Sequence, residues 1–331
     1  MKKIIPPVDR EKLFKEMTPD KFVRKTNNGG NELYIFSAND CPNMMLEVGR
    51  LREEAFRHAG GGTGEETDID HFDSGEDCYQ QLIVWDPDAS QILGGYRYKI
   101  CHEKTVDEQG EVHLSTAELF RFSPHFNKEF LPHLIELGRS FVQPLYQSTG
   151  KIRKGIYALD NLWDGLGAII VKNPEKKYFF GKVTMYNSYN MDARNHLLFF
   201  LERYFADTED LITPIFPMET HMNREVLGHI FSGKDYEEDY KILRKSIRNL
   251  GEIIPPLINS YMDLSPTMKV FGTALNPFFG GVEETAIMVT INDIYKEKVE
   301  RHISTFDPKY WLRRLRNSQI SHIRLFPKRR R

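Results

Sequence analysis

Cysteine is scarce and unpaired in pattern. Cys41, Cys78 and Cys101 are the only three in 331 residues. No CxxC or comparable spacing joins them, which argues against a disulfide framework and a cysteine-held zinc site. None of the eleven histidines falls in an HExxH or other paired ligand spacing, so no bound metal is expected. A nucleotide-binding glycine fingerprint is absent. No uncharged apolar run approaches the ~20 residues needed to span a bilayer. The opening segment has two lysines but no apolar stretch, because Pro6, Pro7 and Asp9 interrupt it at once, so it does not read as a signal peptide. Internal repeats and low-complexity tracts are missing too. The expectation left standing is a soluble, cytoplasmic protein. Its 40% apolar and 28% charged residues suit a globular chain with a real core.

What is present begins with an uneven charge. The net charge is −2, yet after Asp307 nine lysines or arginines occur without one acidic residue. Subtracting those nine leaves about −11 on the preceding 307 residues. The terminal segment 308–331 therefore reads as a basic appendage.

Periodicity predicts an α/β chain. Residues 1–30 read as a helix-bearing arm ending in the turn signal Asn27-Asn28-Gly29-Gly30. A strand is predicted over 32–37. A helix follows, with Asp40 as its cap and Met44, Met45, Val48, Leu51, Arg52, Ala55 and Phe56 close to one face. Residues 60–64, Gly-Gly-Gly-Thr-Gly, should hold no regular structure and be mobile. Strands over 79–85 and 92–101 read as a hairpin. Further strands are predicted at 134–142, 178–185, 268–275 and 286–291, with helices at 161–171, 193–205 and 255–262. Residues 207–252 look like a charged helical insertion. Hairpins first and helical crossovers later imply one mixed sheet of about seven strands covered by helices, forming a single domain over 31–307.

Several charges sit where a core would be expected. Arg97 lies in the strand Gly94-Gly95-Tyr96-Arg97, and Glu136 and Arg139 lie in the apolar strand 134–142. Charged residues in such strands need partners. Glu136 and Arg139 point to opposite faces unless a bulge intervenes. Asp70 and Asp73, in Asp68-Ile69-Asp70-His71-Phe72-Asp73, are available counter-ions; the run lacks the glycine and terminal glutamate of a calcium loop. On spacing alone, a structural network and a catalytic one are equally good readings of Asp70, Asp73, Arg97, Glu136 and Arg139.

These residues also carry a family pattern. Leu51-Arg52-Glu53-Glu54-Ala55-Phe56-Arg57, the 68–73 run, Gly94-Gly95-Tyr96-Arg97, Ser115-x-x-Glu118-Leu119 and Glu136-Leu137-Gly138-Arg139-Ser140-Phe141-Val142 occur in order. Tyr146, Leu162-Trp163-Asp164-Gly165, Tyr178-x-x-x-Gly181 and Pro255-Pro256-Leu257-Ile258-x-x-Tyr261 continue it. The chain resembles the acyl-carrier-protein-dependent ornithine and glycine N-acyltransferases, the "putative hemolysin" branch of the GCN5-related N-acetyltransferase superfamily. It also resembles their sister group, the acyl-homoserine-lactone synthases. The resemblance runs from about residue 44 to about 292. The Gly-x-Gly phosphate loop of coenzyme-A-using members is absent after Val142, and the insertion at 207–252 is not matched to the family pattern.

The resemblance implies transfer of a long acyl chain, plain or 3-hydroxylated, from a carrier-protein thioester, or from acyl-CoA, to a small amino acid, glycine or ornithine, giving a lyso amino-acid lipid. No tightly bound cofactor is implied. Such attack needs a neutral amine, whereas free amines are protonated near neutral pH. Glu136 is the expected base. Arg97 and Arg139 are expected to orient the acidic residues or to meet the pantetheine phosphate, and Asp70 and Asp73 to position the arginines or the substrate amine. Glu118, Ser140, Phe141, Val142, Tyr146 and Trp163 are expected to contact substrate. Two rivals stay open: a homoserine-lactone-type synthase, and a silent module that only binds acyl chains or carrier protein. In the tail, Trp311, Arg313, Arg314, Arg316, Lys328 and Arg329 suit either a helix docked on the domain or contact with anionic membrane or acidic carrier protein. Nothing else in the chain supports nucleic acid as a partner.

Overall fold

The computed structural model describes residues 1–147 and 157–307. The basic tail, and with it Trp311, Arg313, Arg314, Arg316, Lys328 and Arg329, lies outside the described residues. An eight-stranded mixed sheet organises the rest. In chain order its strands are β1 (Phe22–Lys25), β2 (Glu32–Phe36), β3 (Gln80–Asp86), β4 (Gln91–Ile100), β6 (Leu134–Val142), β7 (Tyr178–Met185), β9 (Lys269–Asn276) and β10 (Val282–Thr290). Across the sheet the order is β1-β2-β3-β4-β6-β7-β10-β9. The sequence led us to expect about seven strands. The additional one is β1, whose four residues are too few to show an alternation, and which pairs antiparallel with β2. A short ribbon of β5 (Phe120–Phe122) and β8 (Ile212–Pro214) stands apart.

Helix α1 (Arg10–Glu16) precedes β1, and α2 (Pro42–Ala59) follows β2. All seven residues expected on the inner face of α2 are buried. Its cap differs from expectation. Cys41 is the N-cap and offers no side-chain bond. The Glu16 carboxylate accepts from the Asn43 and Met44 amides at 3.0 and 2.8 Å, so α1 caps α2 from a distance. Asp40 instead accepts from Ser37 Oγ at 2.8 Å. Beyond α2, residues 60–64 form no helix or strand, but they are fastened. Buried Glu53 accepts from Thr63 N, Thr63 Oγ1 and Gly64 N at 3.0, 2.8 and 2.7 Å.

Helix α3 (Pro124–Glu129) leads into β6, and α4 (Ala158–Lys172) carries the chain from β6 to β7. Helix α5 (Met191–Phe205) packs with α7 (Tyr236–Asn249) through an apolar cluster that includes Phe200, Leu243 and Ile247. The segment read as a helical insertion therefore holds α6 (Arg224–Ile230), α7 and also strand β8. Helix α8 (Pro256–Met262) precedes β9.

Alternation along the strands sorts residues between two cores. Tyr96, Leu137, Phe179 and Ile287 join the cluster that also contains Leu162 and Leu166 of α4. Ile83, Trp85 and Phe141 meet Met44, Val48 and Phe56 of α2 on the other face. Arg97, Glu136, Lys182 and Glu284 alternate with residues of the first cluster, so they project on the α2 side.

Candidate active site

Strands β6 and β7 make the functional geometry. They run parallel and pair at four positions, from Leu134↔Tyr178 to Leu137↔Gly181. Past Gly181 they part, although β6 continues to Val142 and β7 to Met185. The close approach at the last pair needs glycine, because a Cβ on Gly181 would lie 2.4 Å from the Leu137 carbonyl oxygen.

On its other edge β6 carries a bulge. Arg97 pairs with Gly138 but Gly95 pairs with Phe141, leaving Arg139 and Ser140 without partners on β4. Arg139 takes φ 47°, the left-handed region that costs a non-glycine residue roughly 1–2 kcal/mol. This extra residue turns Arg139 to the same side as Glu136 and Arg97. Backbone amides of residues 139 and 140 thus lie where neither neighbouring strand ladders with them.

A cavity of about 610 Å3 opens in the gap. Gly138, Arg139, Ser140, Phe141, Val142 and Tyr146 line one side; Lys182, Thr184, Tyr186 and Glu284 line the other. Phe56 and Phe279 approach from the α2 face, Leu159 and Leu257 from the α4 face, so the cavity passes through the sheet. An adjoining hollow of about 30 Å3 shares Gly138, Arg139, Ser140, Lys182 and Leu257 and ends against Tyr96, Phe179 and Tyr261.

Behind the wall lies a cluster of six charges. Arg97 Nη1 donates to both oxygens of Asp70 at 2.7 Å and to Asp73 Oδ2 at 3.2 Å. Arg52 Nη1 reaches both Asp73 oxygens at 3.2 Å. Arg139 Nε donates to Asp68 Oδ1 at 3.0 Å and its Nη2 to Asp70 Oδ2 at 3.3 Å. Three arginines thus balance three aspartates. Burial by itself would raise the Asp73 carboxyl, but Arg52 and Arg97 outweigh it and hold the group down at about 2. The guanidinium of Arg97 lies 5.1 Å from the Tyr79 ring centroid, and that of Arg139 lies 4.8 Å from Phe279. Asp70 caps the turn His71–Asp73, accepting from Phe72 N at 2.9 Å, which fixes both carboxylates on one short loop.

Glu136 sits apart from this cluster and has no part in lining the cavity. It is fully buried and accepts from Tyr79 Oη, from Ser115 Oγ at 3.3 Å and from Thr116 N at 3.0 Å. Burial and the Glu136 charge push the Tyr79 phenol far above its usual range, so it remains a donor. Ser115 does line the cavity, and its hydroxyl is the link between Glu136 and the open space.

The expected residues therefore divide. Arg97, Arg139, Ser140, Phe141, Val142 and Tyr146 line the cavity, while Asp70 and Asp73 hold its arginines from behind. Glu118 is exposed and lines no part of the cavity, because the turn Ser115–Glu118 directs Ser115 inward instead. Trp163, on α4, packs edge-on against Tyr261 at 5.5 Å and does not line the cavity. Sequence reasoning missed Asp68, Tyr79, Ser115, Lys182 and Glu284. Asp68 could have been drawn from the acidic run that held Asp70 and Asp73. Lys182 and Glu284 carry no local signal, since only cross-strand register brings them together.

A sheet opened between two parallel strands, with an arginine–aspartate cluster behind the opening, accords with acyl transfer. The family model of the Acetyltransferase (GNAT) domain matches residues 51–154. The Glycine N(alpha)-acyltransferase of Phocaeicola vulgatus is 52% identical over 306 residues, covering 92% of this chain and 94% of that protein. The Glycine N(alpha)-acyltransferase of Bacteroides thetaiotaomicron is 53% identical over 306 residues, covering 92% and 91%. The chain belongs to this family of GNAT-type N-acyltransferases. Among solved structures, the AHL synthase LasI is similar over 46% of this chain and 72% of that one, at 16% identity and a TM-score of 0.30. Among the described residues no helix is long and apolar enough to cross a membrane.

Proposed function

We propose that this N-acyltransferase moves a long acyl chain from an acyl carrier protein thioester onto the amine of glycine, giving an N-acyl amino-acid lipid. The observation that carries this reading is identity above 50% with two glycine N(alpha)-acyltransferases along 92% of the chain. The cavity supports it. One end is polar, with Arg97, Arg139, Lys182 and Glu284, and the path through the sheet is apolar, with Phe141, Val142, Leu159 and Leu257. That division suits a charged acceptor meeting a long-chain thioester.

In the reaction the amine nitrogen attacks the thioester carbonyl carbon. The C–N bond forms and the C–S bond breaks. The ammonium loses two protons: one passes through the Ser115 hydroxyl to Glu136, and the other leaves with the thiolate as a thiol. The amides at the Arg139 bulge face the developing oxyanion. Arg97 and Arg139, held by their aspartates, keep that backbone in place. A carrier-protein donor is favoured over coenzyme A because no Gly-x-Gly phosphate loop follows Val142. The basic tail would hold the enzyme beside anionic lipid, where a single-chain product enters the bilayer.

Lipid mass spectrometry of a host expressing the wild type beside Glu136→Gln tests the reading. A new N-acylglycine in the wild type, reduced at least 100-fold in the variant, is expected. A different amine in the product mass, or equal product from both proteins, refutes the acceptor or the base respectively.

A further inference from the structure

We propose that Lys182 and Glu284 form the receptor for the acceptor's zwitterionic head, with the Lys182 ammonium taking the α-carboxylate and the Glu284 carboxylate taking the α-ammonium. The inference rests on reading this cavity as the N-acylation site. It adds which groups recognise the acceptor, and what class of amine they reject.

Among the described residues four charged side chains line the cavity: Arg97, Arg139, Lys182 and Glu284. The two arginines are committed to Asp68, Asp70 and Asp73, which lie behind the wall and hold them from several directions. Among the described residues, Lys182 and Glu284 form the one ion pair whose members both face the cavity. Their strands set this up. Ala286 is the register partner of Lys182, and Thr184 is the partner of Glu284, so the two charges meet diagonally across β7 and β10.

The two partners differ in freedom. Glu284 also accepts from Thr184 Oγ1 and Asn276 Nδ2, each at 3.1 Å, and these neutral donors keep it oriented when Lys182 leaves. Lys182 has a flexible four-carbon stem and can swing to a new anion. An α-amino acid is a zwitterion, so its entry turns one ion pair into two without changing the cavity's charge. A simple amine would take Glu284 and strand Lys182 as an unpaired buried cation. An acid without an amine would strand Glu284. The pair therefore selects for a molecule that carries both charges close together.

The test uses the purified full chain, a long-chain acyl carrier protein and two acceptors, glycine and glycinamide, with initial rates measured for each. Wild-type protein should favour glycine by about 100-fold in kcat/KM, the scale of one desolvated charge contact. Lys182→Met should raise KM for glycine about 100-fold and bring the two acceptors within about fivefold of each other. Lys182→Met combined with Glu284→Gln removes both charges, and should show the same levelling even if the single variant folds poorly. Wild type that accepts glycinamide as well as glycine overturns the inference while leaving N-acylation intact. So does a folded variant with unchanged preference. Wild type that acylates neither acceptor refutes the N-acylation reading itself, and the inference with it.

Discussion

Asp73→Asn is the most searching perturbation of the charge cluster. The Asp73 carboxylate is fully buried and accepts from Arg52, Arg97, Gln81 Nε2 at 2.9 Å and the Asp70 amide at 3.2 Å. An isosteric amide removes the charge and turns one oxygen into a donor. Whichever way the amide is placed, its NH2 group faces donors, and the three arginines are left with two counter-ions. Breaking a buried pair from one side costs about 3–5 kcal/mol. Against a typical total of about 5–15 kcal/mol this is a large loss. Urea unfolding followed by circular dichroism should show the midpoint falling in proportion, with the slope unchanged. Acid unfolding supplies a second reading. Asp73 is held near 2, below the ordinary carboxylate value of 3.8. The unfolded chain therefore binds its proton first as pH falls, so the stabilisation is complete above about 4 and is lost between about 4 and 2. That lowering corresponds to about 2 kcal/mol. Asp73→Asn should lose that part of the acid slope. A variant within 1 kcal/mol of wild type, with an unaltered acid limb, would refute the view that the six charges form one mutually dependent unit.

Two further expectations concern the opened sheet and the tail. Gly181→Ala places a methyl group 2.4 Å from the Leu137 oxygen. It should cost about 2–3 kcal/mol in the same unfolding assay and lower kcat/KM at least tenfold, and a neutral substitution would mean that the last β6–β7 pair can shift freely. Deleting residues 308–331 removes nine positive charges. At roughly 1 kcal/mol per basic residue near an anionic surface, binding to phosphatidylserine vesicles should fall more than tenfold in a sedimentation assay, and unchanged binding would remove the tail from any membrane role.

Most of the sheet was legible in the sequence because its central strands are long enough to show their pattern. β3, β4, β6 and β7 each carry a run that alternation or apolar content marks, whereas the spacing of Glu136 and Arg139 left open whether β6 contains the bulge that it does. What escaped was set by distant partners. β1 is identified only by its pairing with β2, and the cap on α2 comes from Glu16 rather than from the adjacent Asp40. In the site, Arg97 and Arg139 stood out because arginine is conspicuous in an apolar strand. Glu284 did not, because Glu283-Glu284-Thr285 reads as an ordinary solvated stretch until β7 and β9 close around it. Glu136 drew attention for its burial, and that burial gives it three protein donors while leaving the cavity to Ser115.

The single parallel strand pairing in the described sheet has a mechanical consequence. β1, β2, β3, β4 and β6 form one antiparallel block, and β7, β10 and β9 form another, and only four residue pairs stitch them together. Residues of both blocks line the gap, so a molecule bound there would touch both of them beyond Gly181. Cross-linking β6 to β7 beyond Gly181 would therefore be expected to close the gap to any such molecule.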